Sequence, residues 1–347
     1  MWPYWLMFLT PMWAVLTPGR LLENQARWVW FLIGCVFAVL IGFRHQVGGD
    51  WGTYVRHFND TVGLDWSDVV SGTDPGYYAV NWLVARAGGT IYTVNLICGA
   101  VVMWGTVVFC RRQPNPWLAL LVAVPYMLIV VAMGYTRQAA ALGFALLGLS
   151  ALGAGKVRTF AMWIAVGALF HKSAVLLLPI AALAASRNRF LTALLIGILT
   201  ALLYYLLVAD ASESLWNSYV VADYQSQGGP IRVLMNVLPA MLLVLFGRQL
   251  VEDPHERKLW LWMSVMAFIC LPLVTMASTA VDRVALYLIP LQLFVFARMP
   301  LLAKAARPRT PIVLGVIGYY AAVEYVWLNY AADAGAWVPY HFMPMGS

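Results

Sequence analysis

The stretch 134–179, GYTRQAAALGFALLGLSALGAGKVRTFAMWIAVGALFHKSAVLLLP, decides how this chain folds. It is as apolar as a membrane span except at two polar insertions, Arg137-Gln138 and His171-Lys172-Ser173. Ionisable groups at membrane depth cost roughly 2.5–3.5 kcal/mol each on insertion scales, and they usually face a water-filled cavity or a charged ligand. The stretch therefore predicts helices that enter a membrane and line a polar cavity.

The composition of the whole chain supports the same class. The 347 residues are 62% hydrophobic and 11% charged, with a mean hydropathy of +0.76. A soluble domain of this length needs far more charge to cover its surface. Apolar runs of about 17–20 residues recur, long enough to cross a hydrocarbon core of ~30 Å, and backbone groups in lipid must be satisfied within each segment. We predict an all-α, polytopic integral membrane helical bundle in which residues 1–347 form a single transmembrane domain.

Charge and cysteine content exclude other classes. The net charge of +7 would suit nucleic acid, but the basic residues lie in short loops between spans, where they act as topology signals and contact anionic lipid. No nucleic-acid partner is expected. The cysteines lie inside apolar runs without motif spacing, which predicts neither a disulfide framework nor a zinc site. The N-terminus lacks a basic region and a cleavage signal, so we expect a retained first span.

The apolar runs predict about ten full spans. They are 2–17, 28–43, 90–110, 117–133, 139–154, 190–208, 231–247, 259–276, 284–299 and 311–328. The segment 159–185 is different, because basic pairs flank both of its ends and one long helix would place them on opposite faces, against the positive-inside rule. Two helices of about 13 residues, or ~20 Å each, that meet near His171-Lys172 avoid this. We predict a short two-helix hairpin whose tip lines a cavity.

This topology leaves cations where the positive-inside rule does not require them. The outer-face residues are Arg44, Arg56, Arg86, Arg137, Lys172, Arg232 and Arg283. A cluster of cations on the outer face indicates an anionic partner there.

Three segments are predicted on the outer face, 43–89, 209–232 and 329–347. In the first, apolar side chains from Trp51 to Phe58 recur at helical spacing, which predicts an amphipathic helix lying in the interface. The second carries aromatic residues among Asn, Gln and Asp. That composition suits either a carbohydrate-binding loop or an ordinary interfacial loop.

The outer cations fall into several local patterns. Arg44 precedes Gly48-Gly49-Asp50, where glycines would let the backbone approach a ligand and the guanidinium would bind phosphate oxygens. Arg44 snorkelling at the interface is the alternative, and for Arg137 it is pairing with a nearby Asp. Asp282-Arg283 joins two spans, and we expect Asp282 to cap a helix while Arg283 faces phosphate.

Nucleotide-binding glycine signatures, serine-hydrolase elbows and zinc spacings are absent from the sequence. We therefore expect no cofactor and no metal. A divalent ion between Asp50 and a pyrophosphate is the alternative, which the surplus of arginines makes unnecessary.

The order of these patterns resembles the EpsG family. The matching residues are Arg44-x-x-x-Gly48-x-Asp50-x-x-x-Tyr54, then Arg137-Gln138 at the start of a span, then Phe170-His171-x-Ser173 with Pro179 beyond, and finally Asp282-Arg283-x-x-x-Tyr287. The similarity covers about 30–300, and the chain departs from the family pattern at His45 and Gly49. EpsG proteins are bacterial exopolysaccharide polymerases of the Wzy type, similar in architecture to the GT-C-like membrane glycosyltransferases.

The resemblance implies an inverting glycosyltransferase that polymerises undecaprenyl-diphosphate-linked oligosaccharide units into an exopolysaccharide or O-antigen-like chain. It implies a multi-pass protein of the bacterial inner membrane whose active site faces the periplasm or the outside. The implied partners are the lipid-linked donor and acceptor, membrane lipid, a chain-length regulator and a flippase.

In that reaction an acceptor hydroxyl would attack the anomeric carbon of the donor and expel the lipid diphosphate. Cations must stabilise the departing diphosphate, and a base must accept the proton of the hydroxyl. We assign Arg44, Arg137, Lys172 and Arg283 to the diphosphate, either His171 or Asp50 to the base, and Gln138, Ser173, Tyr54 and Tyr287 to substrate positioning. Neighbouring cations are expected to lower the pKa of both His171 and Asp50.

Three other functions use part of the same pattern. A glycan ligase would share the donor chemistry and differ in its acceptor. A membrane O-acyltransferase also uses an intramembrane His, but the outward cations suit a diphosphate better than a thioester. A lipid-linked oligosaccharide flippase would need a charged cavity open to both faces, and an internal repeat is not seen in the sequence.

Overall fold

The computed structural model describes residues 1–17, 19, 22–184, 189–207, 228–303 and 308–343. The first half of the chain forms α1 (Trp2–Leu16), α2 (Glu23–Gly42), β1 (Arg44–His45), α3 (Trp51–Thr61), α4 (Trp66–Ser71), α5 (Pro75–Arg86), α6 (Ile91–Cys110), α7 (Pro116–Gly134) and α8 (Thr136–Gly153). The second half forms α9 (Val157–Phe170), a 3-10 turn (Lys172–Leu177), α10 (Leu178–Ala184), α11 (Arg189–Leu207), α12 (Gly229–Leu250), α13 (Pro254–Leu273), α14 (Ser278–Ala285), a 3-10 turn (Leu286–Leu288), α15 (Ile289–Phe296), a 3-10 turn (Met299–Leu302), α16 (Thr310–Tyr330), a 3-10 turn (Ala334–Ala336) and β2 (His341–Phe342).

The prediction of an all-helical membrane protein is confirmed, but the number of spans is not. In the described part of the chain, six helices are long and apolar enough to cross a membrane. They are Glu23–Gly42, Ile91–Cys110, Pro116–Gly134, Gly229–Leu250, Ser278–Leu302 and Thr310–Tyr330. The other four predicted runs also form helices. Helix α1 is only ~22 Å long, and polar residues occupy the first turns of α8 and α13.

The predicted break at His171 is present. Helix α9 ends at Phe170, His171 has extended backbone dihedrals (φ −156°, ψ 115°), and a second short apolar helical segment, Lys172–Ala184, follows. At 1.5 Å per residue, α9 is ~21 Å long, too short to cross the hydrocarbon core. The break therefore lies at one end of two short helices that contact each other.

Helix α7 and helix α8 form the centre of the bundle, and almost all of their side chains are buried. Close helix packing is possible because of small residues. A Cβ atom on Gly105 of α6 would overlap the backbone of Gly143 on α8. The middle of α7, Val124–Val131, is a π-helix, a geometry that often occurs at functional sites.

The end of the chain folds back onto the loop after α2. Strand β2 pairs with β1 in an antiparallel register, with Arg44 opposite Phe342. Trp337 is buried, its indole N–H donates to the Ile129 carbonyl of the π-helix, and its own carbonyl accepts a hydrogen bond from the Tyr4 hydroxyl. The segment 329–347, which the sequence predicts on the outer face, is thus a structural part of the bundle over its described residues.

The segment 43–89 forms α3, α4 and α5, so the amphipathic helix predicted from Trp51 onward is confirmed. The helix does not lie alone in an interface, because it packs against α5 and α6. Tyr54 and Tyr77 face inward and are buried. Residues 209–227 of the loop predicted at 209–232 lie outside the described part of the chain.

Candidate functional site

Two glycines allow separate segments to meet at one end of the bundle, which we call the site end. Gly48 has a left-handed backbone (φ +99°), and a Cβ there would overlap the Met133 carbonyl oxygen at the end of α7. Gly76, at the start of α5, lies against the backbone of Leu169 near the end of α9. These contacts bring the loop that carries Asp50, and the turn that carries Asp74, next to the starts of α8 and the His171 segment.

Arg137 forms an ion pair at the start of α8. Its Nη1 donates to Oδ2 of Asp74 at 2.7 Å, and the side chains of Arg137 and Asp74 are 26% and 5% exposed. The guanidinium carbon lies 6.0 Å and 5.9 Å from the ring centroids of Tyr54 and Tyr77. The alternative considered for Arg137, pairing with a nearby Asp, is therefore present, and the quarter of the side chain that remains exposed can still reach a ligand.

Arg283 is held differently. Its guanidinium stacks on Tyr135, 4.4 Å from the ring centroid, and its Nη1 donates to the Gln138 side-chain oxygen at 3.2 Å. The Gln138 amide nitrogen donates back to the Arg283 carbonyl at 2.7 Å. Among the described residues, no carboxylate lies within ion-pair distance of Arg283. Its charge is therefore available to an anion.

The expected N-cap role of Asp282 is wrong. Asp282 lies inside α14, and its carboxylate accepts two hydrogen bonds from Arg232, each 2.7 Å long. Both side chains are 10% exposed. Neighbouring residues on a helix point in different directions, so Asp282 pairs with Arg232 of α12 while Arg283 faces Gln138.

His171 belongs to a short polar chain. Its Nδ1 lies 2.6 Å from the Ser173 hydroxyl, which donates to the Tyr287 hydroxyl at 3.3 Å. Burial and the charges of Arg137, Arg283 and Lys172 together lower the pKa of His171 to about 3. The sequence predicted this direction from the cations alone, but loss of water is the larger cause. The imidazole is neutral at pH 7.

Asp50 is half-buried and begins α3. Within the described part of the chain, its carboxylate makes no hydrogen bond and no ion pair. Burial raises the pKa of Asp50, while the charges of Arg283, Arg137 and His57 act in the opposite direction. The predicted lowering of this pKa is wrong, because the loss of water outweighs the attraction of the cations. A raised pKa makes Asp50 a stronger base than expected.

Arg44 lies deeper than the sequence suggested. Its side chain is fully buried and donates to the carbonyls of Ile41 and Val47 and to the Thr136 hydroxyl, the last at 2.7 Å. It therefore joins the loop after α2 to the start of α8. Contact of Arg44 with a diphosphate remains a prediction.

The predicted site residues thus divide into two groups. Asp50, Arg137, His171, Lys172, Ser173 and Arg283 are partly exposed, and electrostatic effects connect Asp50, His171 and both arginines. Arg44, Tyr54, Gln138 and Tyr287 are buried beneath them, so their contact with substrate remains a prediction.

Sequence reasoning missed Asp74 and Tyr135, which hold the two arginines. Asp74 precedes Pro75-Gly76, a sequence typical of a turn that gives no sign of an ion pair. Tyr135 was part of the quoted stretch, where its position two residues before Arg137 gives no separate signal. In the described residues no group of three or more His, Cys, Asp or Glu side chains converges as a metal site would require, and the expectation of metal-free chemistry remains a prediction.

A family model described as the EpsG family matches residues 27–342, which is nearly the whole chain. The chain belongs to the EpsG family. No match was found among curated proteins or among solved structures. The EpsG family is associated with the membrane, with polysaccharide biosynthesis and with glycosyltransferase-like polymerases. Arg137 and Arg283, two of the motif residues that suggested the family, lie together at the site end with Asp50 and His171.

Proposed function

We propose that this EpsG-family chain polymerises undecaprenyl-diphosphate-linked oligosaccharide repeat units by inverting glycosyl transfer. One observation carries the proposal. Two partly exposed cations, Arg137 and Arg283, act on both an unpaired carboxylate, Asp50, and a neutral imidazole, His171, and a third cation, Lys172, acts on the imidazole. A site that expels an anionic leaving group while it removes a proton needs both kinds of group.

The cations would stabilise the departing diphosphate. Arg283 has no acidic partner among the described residues, and Arg137 keeps part of its guanidinium exposed beside Asp74. A guanidinium can donate two parallel hydrogen bonds to phosphate oxygens, and such donors act most strongly where water is excluded. Lys172 would add a third positive charge from the break after α9.

Asp50 is the favoured base. The hydroxyl oxygen of the acceptor would form a bond with the anomeric carbon of the donor as the bond from that carbon to the diphosphate oxygen breaks. The electron pair leaves with the diphosphate, and the hydroxyl proton passes to Asp50. His171 is the weaker candidate because its lowered pKa reduces its proton affinity, and its hydrogen bond with Ser173 suits substrate positioning.

The buried residues would act through these groups. Arg44 fixes the loop that carries Asp50, Tyr54 supports Arg137, Gln138 clamps Arg283, and Tyr287 orders Ser173. Substrate-positioning functions proposed for these residues would therefore be indirect.

The substrates are both lipid-linked, a donor and an acceptor, and the site end would face the periplasm. A flippase would deliver the repeat units, and a chain-length regulator would act on the product. The positive-inside rule supports this orientation, because it assigns the basic loops at the other ends of the helices to the cytoplasmic side.

The test uses purified protein in lipid nanodiscs with lipid-linked repeat units and no added metal. A ladder of products is expected from the wild type and is lost in Arg283→Ala. Arg56→Ala is the matched control, because Arg56 is exposed on α3 and forms no ion pair in the described part of the chain. A single transferred product instead of a ladder would indicate a ligase. In sealed liposomes in place of nanodiscs, unmodified substrate that crosses the bilayer would indicate a flippase.

A further inference from the structure

A cavity of about 550 Å³ lies beside the candidate site, between α12, α16 and the π-helix of α7. This volume is in the range of small-molecule sites in proteins, roughly 300–1,000 Å³. Its lining includes Tyr126 of the π-helix, Arg232 and Met235 of α12, and Val323 and Trp327 of α16. The lining residues on α16 run from Tyr319 to Tyr330, which is ~16 Å along the helix axis.

The mouth of the cavity opens on the outside of the bundle. Ile231, Val326 and Tyr330 line the cavity and are 67%, 54% and 71% exposed. They belong to α12 and α16, both of which are long and apolar enough to span a membrane. The outer surface of such helices faces lipid, so the cavity connects the lipid-facing side of the protein with its interior.

One wall of the cavity lies close to Arg283, which does not itself line the cavity but acts electrostatically on the lining residue Tyr126. Arg232 lies in the wall and forms its paired hydrogen bonds with Asp282, and the next residue along α14 is Arg283. Because Arg232 and Asp282 neutralise each other, Arg283 is the cation at that junction without a carboxylate partner among the described residues. An amphiphile with an anionic head at Arg283 and an apolar chain in the cavity would match both environments.

We propose that this cavity binds the diphosphate-proximal isoprenoid units of the donor lipid. The proposal rests on the proposed function for the identity of the donor, and it adds the position of the lipid chain and the direction from which the donor enters. The donor slides in laterally between α12 and α16, and its diphosphate stops at Arg283. The acceptor then approaches from the Asp50 side of the site.

The first experiment maps binding without catalysis. A photoreactive polyprenyl diphosphate that carries no sugar is cross-linked to the wild-type protein in nanodiscs, and the labelled peptides are identified by mass spectrometry. Labels on α12 near Ile231 and on α16 between Val323 and Tyr330 are expected. Labels confined to other helices would overturn the proposal. Equal labelling of these positions by a photoreactive phosphatidylglycerol, not displaced by polyprenyl diphosphate, would also overturn it by identifying a bulk-lipid site.

The second experiment fills the cavity. Val323→Trp places a large side chain into the lining, and Leu314→Trp adds the same side chain at an exposed position of α16 outside the cavity. Val323→Trp is expected to raise the KM for the lipid-linked donor at least tenfold with kcat little changed, while Leu314→Trp leaves both unchanged. For a donor with a short isoprenoid chain, the increase in KM caused by Val323→Trp should be smaller, because that chain occupies less of the cavity.

The two proposals fail in different ways. A normal ladder with an unchanged donor KM in folded Val323→Trp overturns the proposal that the cavity binds the lipid chain, and it leaves the proposed polymerase function unaffected. Specific cross-linking in the cavity without any ladder from the wild type overturns the polymerase and supports a lipid diphosphate site. If Val323→Trp does not fold, the cross-linking map of the wild type decides alone.

Discussion

Variants of the ion pair between Arg137 and Asp74 distinguish the contribution of Arg137 to protein stability from its contribution to activity. Arg137→Ala removes a guanidinium that both neutralises Asp74 and, in the proposed mechanism, binds the diphosphate. The Nη1 to Oδ2 distance is 2.7 Å, and the Asp74 side chain is 5% exposed. Without Arg137, that carboxylate is left nearly without water and without its ion-pair partner.

The expected loss of stability follows from this burial. Removing one partner of a buried ion pair costs about 3–5 kcal/mol, because the remaining charge is uncompensated. Arg137 is 26% exposed, so water already screens part of the attraction, and Lys172 contributes a second favourable charge to Asp74. We therefore expect a smaller cost, about 2 kcal/mol, in the free energy of unfolding. The loss of a donor to the leaving group should lower kcat roughly 10²–10³-fold.

The assay compares Arg137→Ala, Asp74→Asn and the double variant by thermal unfolding and by the product ladder. The double variant leaves no buried charge, so it should regain most of the stability lost in Arg137→Ala. Its kcat should stay as low as that of Arg137→Ala, because the diphosphate still lacks its donor. Near wild-type polymerisation by the double variant would refute the assignment of Arg137 to the substrate. Full stability of Arg137→Ala would refute the energetic importance of the pair.

Other predictions concern the base and the framework of the site. Asp50→Asn should lower kcat about 10²–10⁴-fold while His171→Gln retains most activity, and the reverse order of effects would make His171 the base. Burial raises the pKa of Asp50 above its usual ~3.9. If Asp50 is the base, the rate of polymerisation by His171→Gln should still rise with pH through an ionisation above that value. Loss of this rise from the pH–rate profile of His171→Gln would argue against Asp50. Gly48→Ala forces a Cβ into the Met133 carbonyl oxygen and should destabilise the protein by more than about 1 kcal/mol, measured by thermal unfolding against Gly49→Ala, where space is open. Trp337→Ala should cost about 3–5 kcal/mol in the same measurement, and an unchanged melting temperature would show that the tail does not brace the π-helix.

Much of the fold was predictable because membrane sequences carry strong local signals. Long apolar runs predicted helices, and flanking charges predicted the break at His171 that the structure contains. Span number was less predictable, because a hydropathy run does not show whether a short or polar-ended helix crosses fully. Helix α1 illustrates the first case, and α13, with Glu256, Arg257 and Lys258 in its first turn, illustrates the second.

The site was predictable at the level of residue type but not of partner. The sequence indicated that Arg137 and Arg283 belong to a functional group, yet it gave no sign that Asp74 pairs with the first and Tyr135 stacks under the second. The first contact depends on the close approach of α5 to α9 at Gly76, and the second depends on the packing of α14 against the start of α8. Both are properties of the packed bundle. The prediction of a lowered pKa for Asp50 was wrong for the same reason, since the sequence shows nearby charges but not the loss of water.

The backbone breaks at the site end explain why cations accumulate there. The chain leaves helical geometry after α2, after α7 and after α9, and the basic residues Arg44, Arg137 and Lys172 each follow one of these breaks by one to three positions. Irregular backbone at membrane depth persists only where it lines a cavity or is buried in protein. A break also begins a new helix, whose first N–H groups carry partial positive charge. The ends of α2, α7 and α9 therefore bring side-chain cations and helix N-termini together, so under the proposed function neutralising any one cation should weaken the binding of a lipid diphosphate without abolishing it.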